Sequence, residues 1–295
     1  MTTSKSTYHG VFQSLPPGTV RAAGWLHDWL CKQARQLGKH LPRVSDPFTG
    51  AYWAGEETLS PTLLTGQEWW PWEQKGYWLD GVLRLGLILG DKALLDEAAQ
   101  AVHYTLTHAG ADGYLGPTRL ADPAGDQYRW PHAVFFRAMM AYAEAHDDAT
   151  IPAAMQAHFL GDTTDYADNR NVTNIEAMLW AYEKTGDTRL VELAERSWQG
   201  YLQKGSENEG DLTAARVDAG VPIQCHGVTY AEMSKLPAVL YMYTGKRSYL
   251  EYALKAQERV FTHHMLVDGM ASTSEHFESI TERQVHETCD IADFT

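Results

Sequence analysis

Three segments of this sequence share one pattern, in which two stretches with helical periodicity are joined through a glycine. Glycine suits the position just after a helix because it adopts a left-handed backbone conformation at little cost. In two of the segments an aspartate follows the glycine and can cap the next helix. Tight helical hairpins are therefore predicted at Gly90, Gly186 and Gly245, in the segments LILGDKALLDEA, YEKTGDTRLVELA and YMYTGKRSYLEYA.

Apolar residues recur after each turn at the spacing of an amphipathic helix, and no alternating β-type run competes with this pattern. The sequence therefore predicts an all-α chain. The hairpins are unevenly spaced, and long connections rich in Gly, Pro and Asp alternate with the tight turns. This favours an (α/α)6-type barrel over a regular solenoid. Helices are predicted at roughly 20–37, 77–90, 92–107, 132–146, 149–159, 173–185, 188–203, 229–243 and 247–262.

Six closed hairpins need twelve helices, which is more than these predicted segments supply. We therefore expect residues 1–295 to form a single (α/α) barrel catalytic domain that is incomplete at its C-terminus. A missing C-terminal segment or a second copy of the chain would complete the barrel.

The charge and the apolar content of the chain exclude several classes of partner. A formal net charge of −14 disfavours nucleic acid and anionic membranes as partners. There is no apolar run of about 18 residues, as a membrane span requires. The N-terminal stretch has no apolar core of a secretory signal, and only three cysteines occur, so a cytoplasmic location is expected.

Aromatic residues cluster in the segment EWWPWEQKGYW, which contains Trp72 and Trp78. Their flat apolar faces and polar N–H groups suit stacking on sugar rings, because one side chain then meets both the apolar and the polar parts of a sugar. The alternative is that these rings pack in the core of the protein. The sequence leaves both interpretations open, and we consider Trp72 and Trp78 as candidate substrate-binding residues.

The sequence HETC near the C-terminus places Glu287 and Cys289 two residues apart. Carboxylate and thiolate are good zinc ligands, and they share one face only where the backbone is extended or a helix is just beginning. The alternative is a buried cysteine without a metal. Upstream, SEHF contains Glu275 in a polar stretch, and CHGVTYAE places His226 at the start of a predicted helix, where an imidazole can hydrogen-bond a substrate or simply pack.

Four motifs in order along the chain resemble the β-L-arabinofuranosidase family of glycoside hydrolases, family 127. They are DGYL, HGVTYAE with LYMYTG, DGM with SEHF, and HETC. The resemblance implies a catalytic (α/α)6 barrel followed by β-sandwich domains. It also implies a zinc ion held by one Glu and three Cys, one of which is the nucleophile.

Individual roles follow from the matching motifs. Glu287 and Cys289 match the zinc ligands of the family, and Glu275 matches its general acid/base. His226 and His132 match substrate-binding histidines. A further histidine of the family is absent, because NVTNIE (171–176) stands at its place, and this puts the identity of the sugar in doubt.

The resemblance also implies an adjacent Cys pair that includes the nucleophile, and we expect this pair to lie beyond Thr295. Zinc is therefore expected for the complete site, and weak or absent binding is expected for this chain. Cys225 and His286 are possible third ligands, although the resemblance assigns that role to neither.

The expected function is a retaining glycoside hydrolase that releases β-L-arabinofuranose or a related pentose from a small oligosaccharide or glycoside. One rival is a metal-independent glycosidase in which Glu275 is the acid and Asp80 or Glu73 is the base. Another is a non-catalytic sugar-binding fragment. An aldose epimerase is a weaker alternative, because no pair of bases on opposite faces of a cleft can be named.

Overall fold

The computed structural model describes residues 8–45, 47–48, 53–54, 69–121, 128–204, 209–281 and 286–294. Within these ranges the ordered secondary structure is helical, apart from isolated β-bridges, so the predicted all-α class is confirmed. Short 3-10 turns cover Thr118–Ala121 and Asn169–Asn174. The α-helices are α1 Gly24–Gln33, α2 Lys39–Val44, α3 Trp70–Leu89, α4 Lys92–Thr107, α5 Trp130–His146, α6 Thr150–Gly161, α7 Ile175–Thr185, α8 Thr188–Lys204, α9 Ala214–Ala219, α10 Gly227–Ser234, α11 Leu236–Thr244, α12 Arg247–His263 and α13 Thr288–Phe294.

The three predicted hairpin glycines have the predicted left-handed conformation. The φ angles are 69° at Gly90, 76° at Gly186 and 68° at Gly245, directly after α3, α7 and α11. The carboxylate of Asp91 accepts hydrogen bonds from the backbone N–H groups of Ala93 and Leu94 and so caps α4. The local signals in the sequence therefore predict these turns correctly.

The predicted helix 229–243 is in fact two helices, α10 and α11, which meet at Lys235. Pro237 lies in the first turn of α11, where the missing N–H of proline costs nothing, whereas within a continuous helix it would remove a hydrogen bond. The first turn of α3 likewise contains Pro71, and this helix begins seven residues before the predicted position 77. The short helices α2, α9 and α13 were not predicted.

The contacts divide the chain into two compact units. The first unit comprises Met1–Val11, Asp165–Leu179 and Val191–Thr295, and the second comprises Phe12–Thr164 and Trp180–Leu190. In the first unit α11 packs against α12, and α10 packs against both α13 and the 3-10 turn Asn169–Asn174. In the second unit α3 packs against α4 and α5.

None of the helices in the described part of the chain has both the length and the apolar character that crossing a membrane requires.

Candidate active site

A short backbone ladder in the first unit brings the segment before α10 against the loop that follows α12. The N–H of Gly227 donates to the carbonyl of Glu275 at 2.8 Å, and the N–H of Phe277 donates to the carbonyl of Cys225 at 3.1 Å. His226 and His276 form an antiparallel bridge between these bonds. The ladder places Nε2 of His226 3.5 Å from Oε2 of Glu275, so the two residues predicted from separate motifs lie side by side.

Glu275 has a backbone conformation that side chains other than glycine rarely adopt, with φ of 49°. Its carbonyl is held by Gly227, and its N–H donates to Oε2 of Glu287 at 3.3 Å. Such a conformation costs of order 1–3 kcal/mol and persists where the surrounding contacts fix it. The side chain that it presents is 78% exposed, so the carboxylate is accessible to a ligand.

Glu287 joins the pair through a second short ladder. The N–H of Glu287 donates to the carbonyl of Thr273 at 3.3 Å, and His286 forms a parallel bridge with Thr273. α13 begins one residue later, at Thr288, so this stretch is extended and then starts a helix, as co-ligation by Glu287 and Cys289 would require. One ligand atom from each of His226, Glu275 and Glu287 lies within 4.8 Å of the others.

Burial and nearby charges shift the pKa values of both neighbours of Glu275 in the direction that favours their neutral forms. Burial, and then the Arg170 charge, lower the pKa of His226 below its usual value, which favours a neutral imidazole. Burial, and then the Glu275 charge, raise the pKa of Glu287. The guanidinium of Arg170 is paired with the buried carboxylate of Glu232 on α10, with Nη2 and Oε2 2.7 Å apart.

Cys289 is exposed and interacts with the carboxylate of Glu287. Loss of solvent around the sulfur and the negative charge of Glu287 raise the pKa of this thiol to about 11. The thiol is therefore protonated at neutral pH unless a cation beside it offsets these effects. A carboxylate and a thiolate are both donors that zinc accepts, so Glu287 and Cys289 fit such an ion chemically.

Asp290 is a buried residue of this site that the sequence did not reveal. It is 2% exposed, and its carboxylate interacts with the side chain of Thr273. Burial raises its pKa to about 6. The carboxylate lies against Gly227 at the start of α10, and so α13 is packed directly against the residue that follows His226.

His132, also predicted from a motif, lies in the second unit and is completely buried. Its ring is stacked on that of His158 with centroids 5.3 Å apart, and neither of its nitrogens has a hydrogen-bond partner among the described residues. Burial lowers its pKa well below 6.5, so the ring is neutral. Its proposed contact with substrate stays a prediction, as does its convergence with Glu275, which belongs to the first unit.

Trp72 and Trp78 are buried in α3 of the second unit, with 1% and 8% of their surface exposed. The Nε1–H of Trp78 donates to the carbonyl of Gly38, and the carbonyl of Trp72 accepts from Nε1 of Trp53. These contacts favour the core-packing alternative for both rings, and their role in substrate binding stays a prediction. Asp80, the base of the rival mechanism, is paired with Arg84 at 2.8 Å on the same helix.

Sequence reasoning missed Arg170, Asp290 and His264, and it noted Glu232 on the helix after His226 without its ion pair to Arg170. Arg170 directly precedes the stretch NVTNIE, where a family histidine was expected. Its charge at that place was the only feature of the sequence that could have indicated a role in the site. Asp290 and His264 lie within patterns that look like ordinary helix or loop. Their contacts join residues that are 14 or more positions apart in the sequence.

The comparisons with known proteins point to one family. The model of the GH127 catalytic domain of β-L-arabinofuranosidases matches residues 65–292. The chain is similar to the crystal structure of Ara127N-Se, a GH127 β-L-arabinofuranosidase from Geobacillus stearothermophilus T6, with a TM-score of 0.59 and 16% identity over 91% of this chain and 49% of that one. It is also similar to a GH127 β-arabinofuranosidase, with a TM-score of 0.60 and 14% identity over 90% of this chain and 45% of that one.

These likenesses show a common helical-barrel fold, in agreement with the predicted fold class. The chain spans about half the length of these two solved structures. No curated protein matches it.

Proposed function

This chain belongs to the GH127 β-L-arabinofuranosidase family, and from that premise we propose that it is the catalytic part of a glycoside hydrolase that releases a terminal β-L-arabinofuranose or a related pentose. The observation that carries the proposal is the convergence of His226, Glu275 and Glu287. These residues come from three separate motifs, and the backbone ladders bring them into one accessible cluster. A cytoplasmic location remains a prediction from the N-terminal sequence.

Glu275 is the proposed general acid/base. In a retaining mechanism its carboxylic acid protonates the glycosidic oxygen as the bond to the anomeric carbon breaks, and its carboxylate then takes a proton from the incoming water. The accessible carboxylate and the fixed backbone of Glu275 support this role. His226, neutral because its pKa is lowered, is proposed to hydrogen-bond a hydroxyl of the sugar beside Glu275.

Glu287 and Cys289 are the proposed protein ligands of a zinc ion. Zinc would supply a positive charge that lowers the pKa of a thiol bound to it. The resemblance implies that the nucleophile is a Cys that follows the Glu-x-Cys pair along the sequence of the family. The two proton transfers assigned to Glu275 do not depend on where this nucleophile lies in the sequence.

One observation favours a second candidate mechanism. The carboxylates of Glu275 and Glu287 lie within 4.8 Å of each other, close to the separation of about 5–5.5 Å at which retaining glycosidases use two carboxylates. Glu287 would then be the nucleophile and no metal would be needed. Cys289→Ser with metal chelation separates the two mechanisms, because it leaves only the two-carboxylate mechanism active.

The experiment that tests the proposal is hydrolysis of p-nitrophenyl β-L-arabinofuranoside by the full-length protein and by its Glu275→Gln variant. We expect turnover to fall by about 10²–10⁴-fold in the variant, because an amide cannot transfer the proton. Glu278→Gln is the matched control, since Glu278 lies in the same loop but is hydrogen-bonded to Ser274 at 2.7 Å. Equal losses in both variants would contradict the role of Glu275.

A further inference from the structure

His264 is a buried histidine of the first unit that no motif singled out. It follows the last residue of α12 and is 3% exposed. Its ring packs against the ring of Phe277, with centroids 4.7 Å apart. The ring lies between two segments of chain, one leading to His226 and the other following Glu275.

The hydrogen bonds of the ring define its tautomer. The backbone N–H of Ile223 can only donate, and its nitrogen lies 3.0 Å from Nε2 of His264. The backbone carbonyl of Glu278 can only accept, and its oxygen lies 2.9 Å from Nδ1. Nε2 must therefore be the acceptor, and Nδ1 must carry the proton. A single neutral imidazole satisfies both backbone groups at once.

The two groups bonded by the ring flank the candidate active site symmetrically. Ile223 lies three residues before His226, and Glu278 lies three residues after Glu275. The backbone of His264 holds the same loop, because its carbonyl accepts from the N–H of Ser272 at 2.7 Å. The N–H of Glu278 in turn donates to the carbonyl of Ser272 at 2.8 Å.

We propose that His264 is a positioning residue that sets the separation of His226 and Glu275 by bonding the backbone of both segments through one ring. This inference rests on the proposed function, because it assigns His264 a part in building that same site. The ring does not touch the cluster itself. It acts through Ile223 on one side and Glu278 on the other, and the ladder between Cys225 and Phe277 joins the two sides.

The surroundings of the ring keep it neutral. Burial is the main cause that lowers its pKa, and the charges of His263 and Arg259 lower it further. The bond to the Glu278 carbonyl and the charge of Asp211 oppose this shift. A proton added to Nε2 would face the N–H of Ile223, so the acceptor would be lost and the bond broken.

The first test is the tautomer of His264 in the wild-type protein, read from ¹⁵N NMR of histidine-labelled chain, with His264→Gln used to assign the signal. We expect a neutral ring with the proton on Nδ1 at pH 7.5. A ring protonated on Nε2 would overturn the proposal, because it could not accept from Ile223.

The second test compares His264→Leu, His264→Gln and His263→Gln by amide hydrogen exchange over residues 222–228 and 272–279 and by the ring signals of His226. Leucine leaves two buried backbone groups without a partner, so exchange should accelerate about tenfold in both segments, and the His226 signals should shift. Glutamine can accept and donate, and it should restore at least part of the protection. His263→Gln is the control, because the ring of His263 bonds the carbonyl of Gly220, which lies outside both segments.

Turnover of p-nitrophenyl β-L-arabinofuranoside separates failure of this inference from failure of the proposed function. If the full-length protein hydrolyses the glycoside, His264→Leu should lower its kcat more than it raises its KM, and His264→Gln should recover part of kcat. If the full-length protein is inactive, the proposed function fails, and the exchange and His226 signals still decide the role of His264. Unchanged amide exchange in both segments and unchanged His226 signals in His264→Leu would overturn the positioning role of His264. If His264→Leu does not fold, His264→Gln decides the positioning role of His264. Equal exchange in His264→Gln and the wild type, together with the Nδ1–H tautomer in the wild type, supports that role. Faster exchange in His264→Gln that is confined to other segments overturns it.

Discussion

A Cβ atom added to Gly227 would lie 2.5 Å from Oδ2 of Asp290 and 2.6 Å from its Oδ1. The buried carboxylate of α13 thus occupies the space that any larger residue would need at the start of α10. Gly227 follows His226, and its N–H donates to the carbonyl of Glu275, so this contact is adjacent to the candidate active site. Close packing, and not backbone conformation, requires glycine here, since Gly227 is not among the residues with positive φ.

This contact predicts that Gly227→Ala and Asp290→Ala are not additive. Gly227→Ala alone should lower the free energy of unfolding by about 1–3 kcal/mol, because the new methyl group collides with the carboxylate. In the Asp290→Ala background the carboxylate is gone, and the same change should cost less by about 1 kcal/mol or more. Urea unfolding of the four proteins measures this difference. Gly81→Ala is the control, because no atom from another part of the described chain lies within 4 Å of its added Cβ. Additive losses at 227 and 290 would contradict the contact.

Zinc binding to this chain should be weak and should depend on Glu287 and Cys289. Glu287 and Cys289 supply two ligands, whereas a tetrahedral zinc site needs four. Glu287→Gln and Cys289→Ser should each lower the affinity for zinc by about tenfold or more, measured by competition with a chromophoric chelator. Cys31→Ser serves as the control because Cys31 lies on α1, in the second unit. Tight binding of one zinc per chain that survives Cys289→Ser would contradict the assignment.

Stability should fall in acid partly because of His158. Burial lowers its pKa from 6.5 to about 3, so the unfolded chain binds a proton there that the folded chain does not. Its contribution is complete above pH 6.5 and is lost as the pH falls from 6.5 towards 3, by at most about 1.4 kcal/mol per pH unit. His158→Gln, which can still accept from the N–H of Leu115, should show a smaller loss of unfolding free energy between pH 6 and pH 4. An unchanged pH slope in the variant would contradict a neutral buried His158.

The ion pair of Arg170 and Glu232 should be required as a pair. Their side chains are 11% and 3% exposed, so removing one charge leaves the other buried without its main counter-charge. We expect Arg170→Met to lower the free energy of unfolding by about 3 kcal/mol, and the loss should shrink when Glu232→Leu is added. Lys255→Met is the control, because the pair of Lys255 with Asp218 is exposed, where water screens the charges and the pair contributes little stability.

The sequence by itself determined the features that depend on neighbouring residues. Gly90, Gly186 and Gly245 end helices because their conformational preference acts locally, and Asp91 caps α4 through bonds to residues two and three positions away. The same signals predicted the all-α class. The family motifs identified Glu275, His226, Glu287 and Cys289, although a motif alone does not say which of them meet.

Only the tertiary structure decided how these residues are arranged. His226 and Glu275 are 49 positions apart, and their contact depends on backbone hydrogen bonds between two irregular segments, which leave no periodic trace in a sequence. The burial of Asp290 against Gly227 is equally non-local, and so are the two hydrogen bonds that join the His264 ring to the backbone of Ile223 and Glu278. Local patterns report the preferences of a short stretch of chain, whereas these contacts arise only when distant segments pack together.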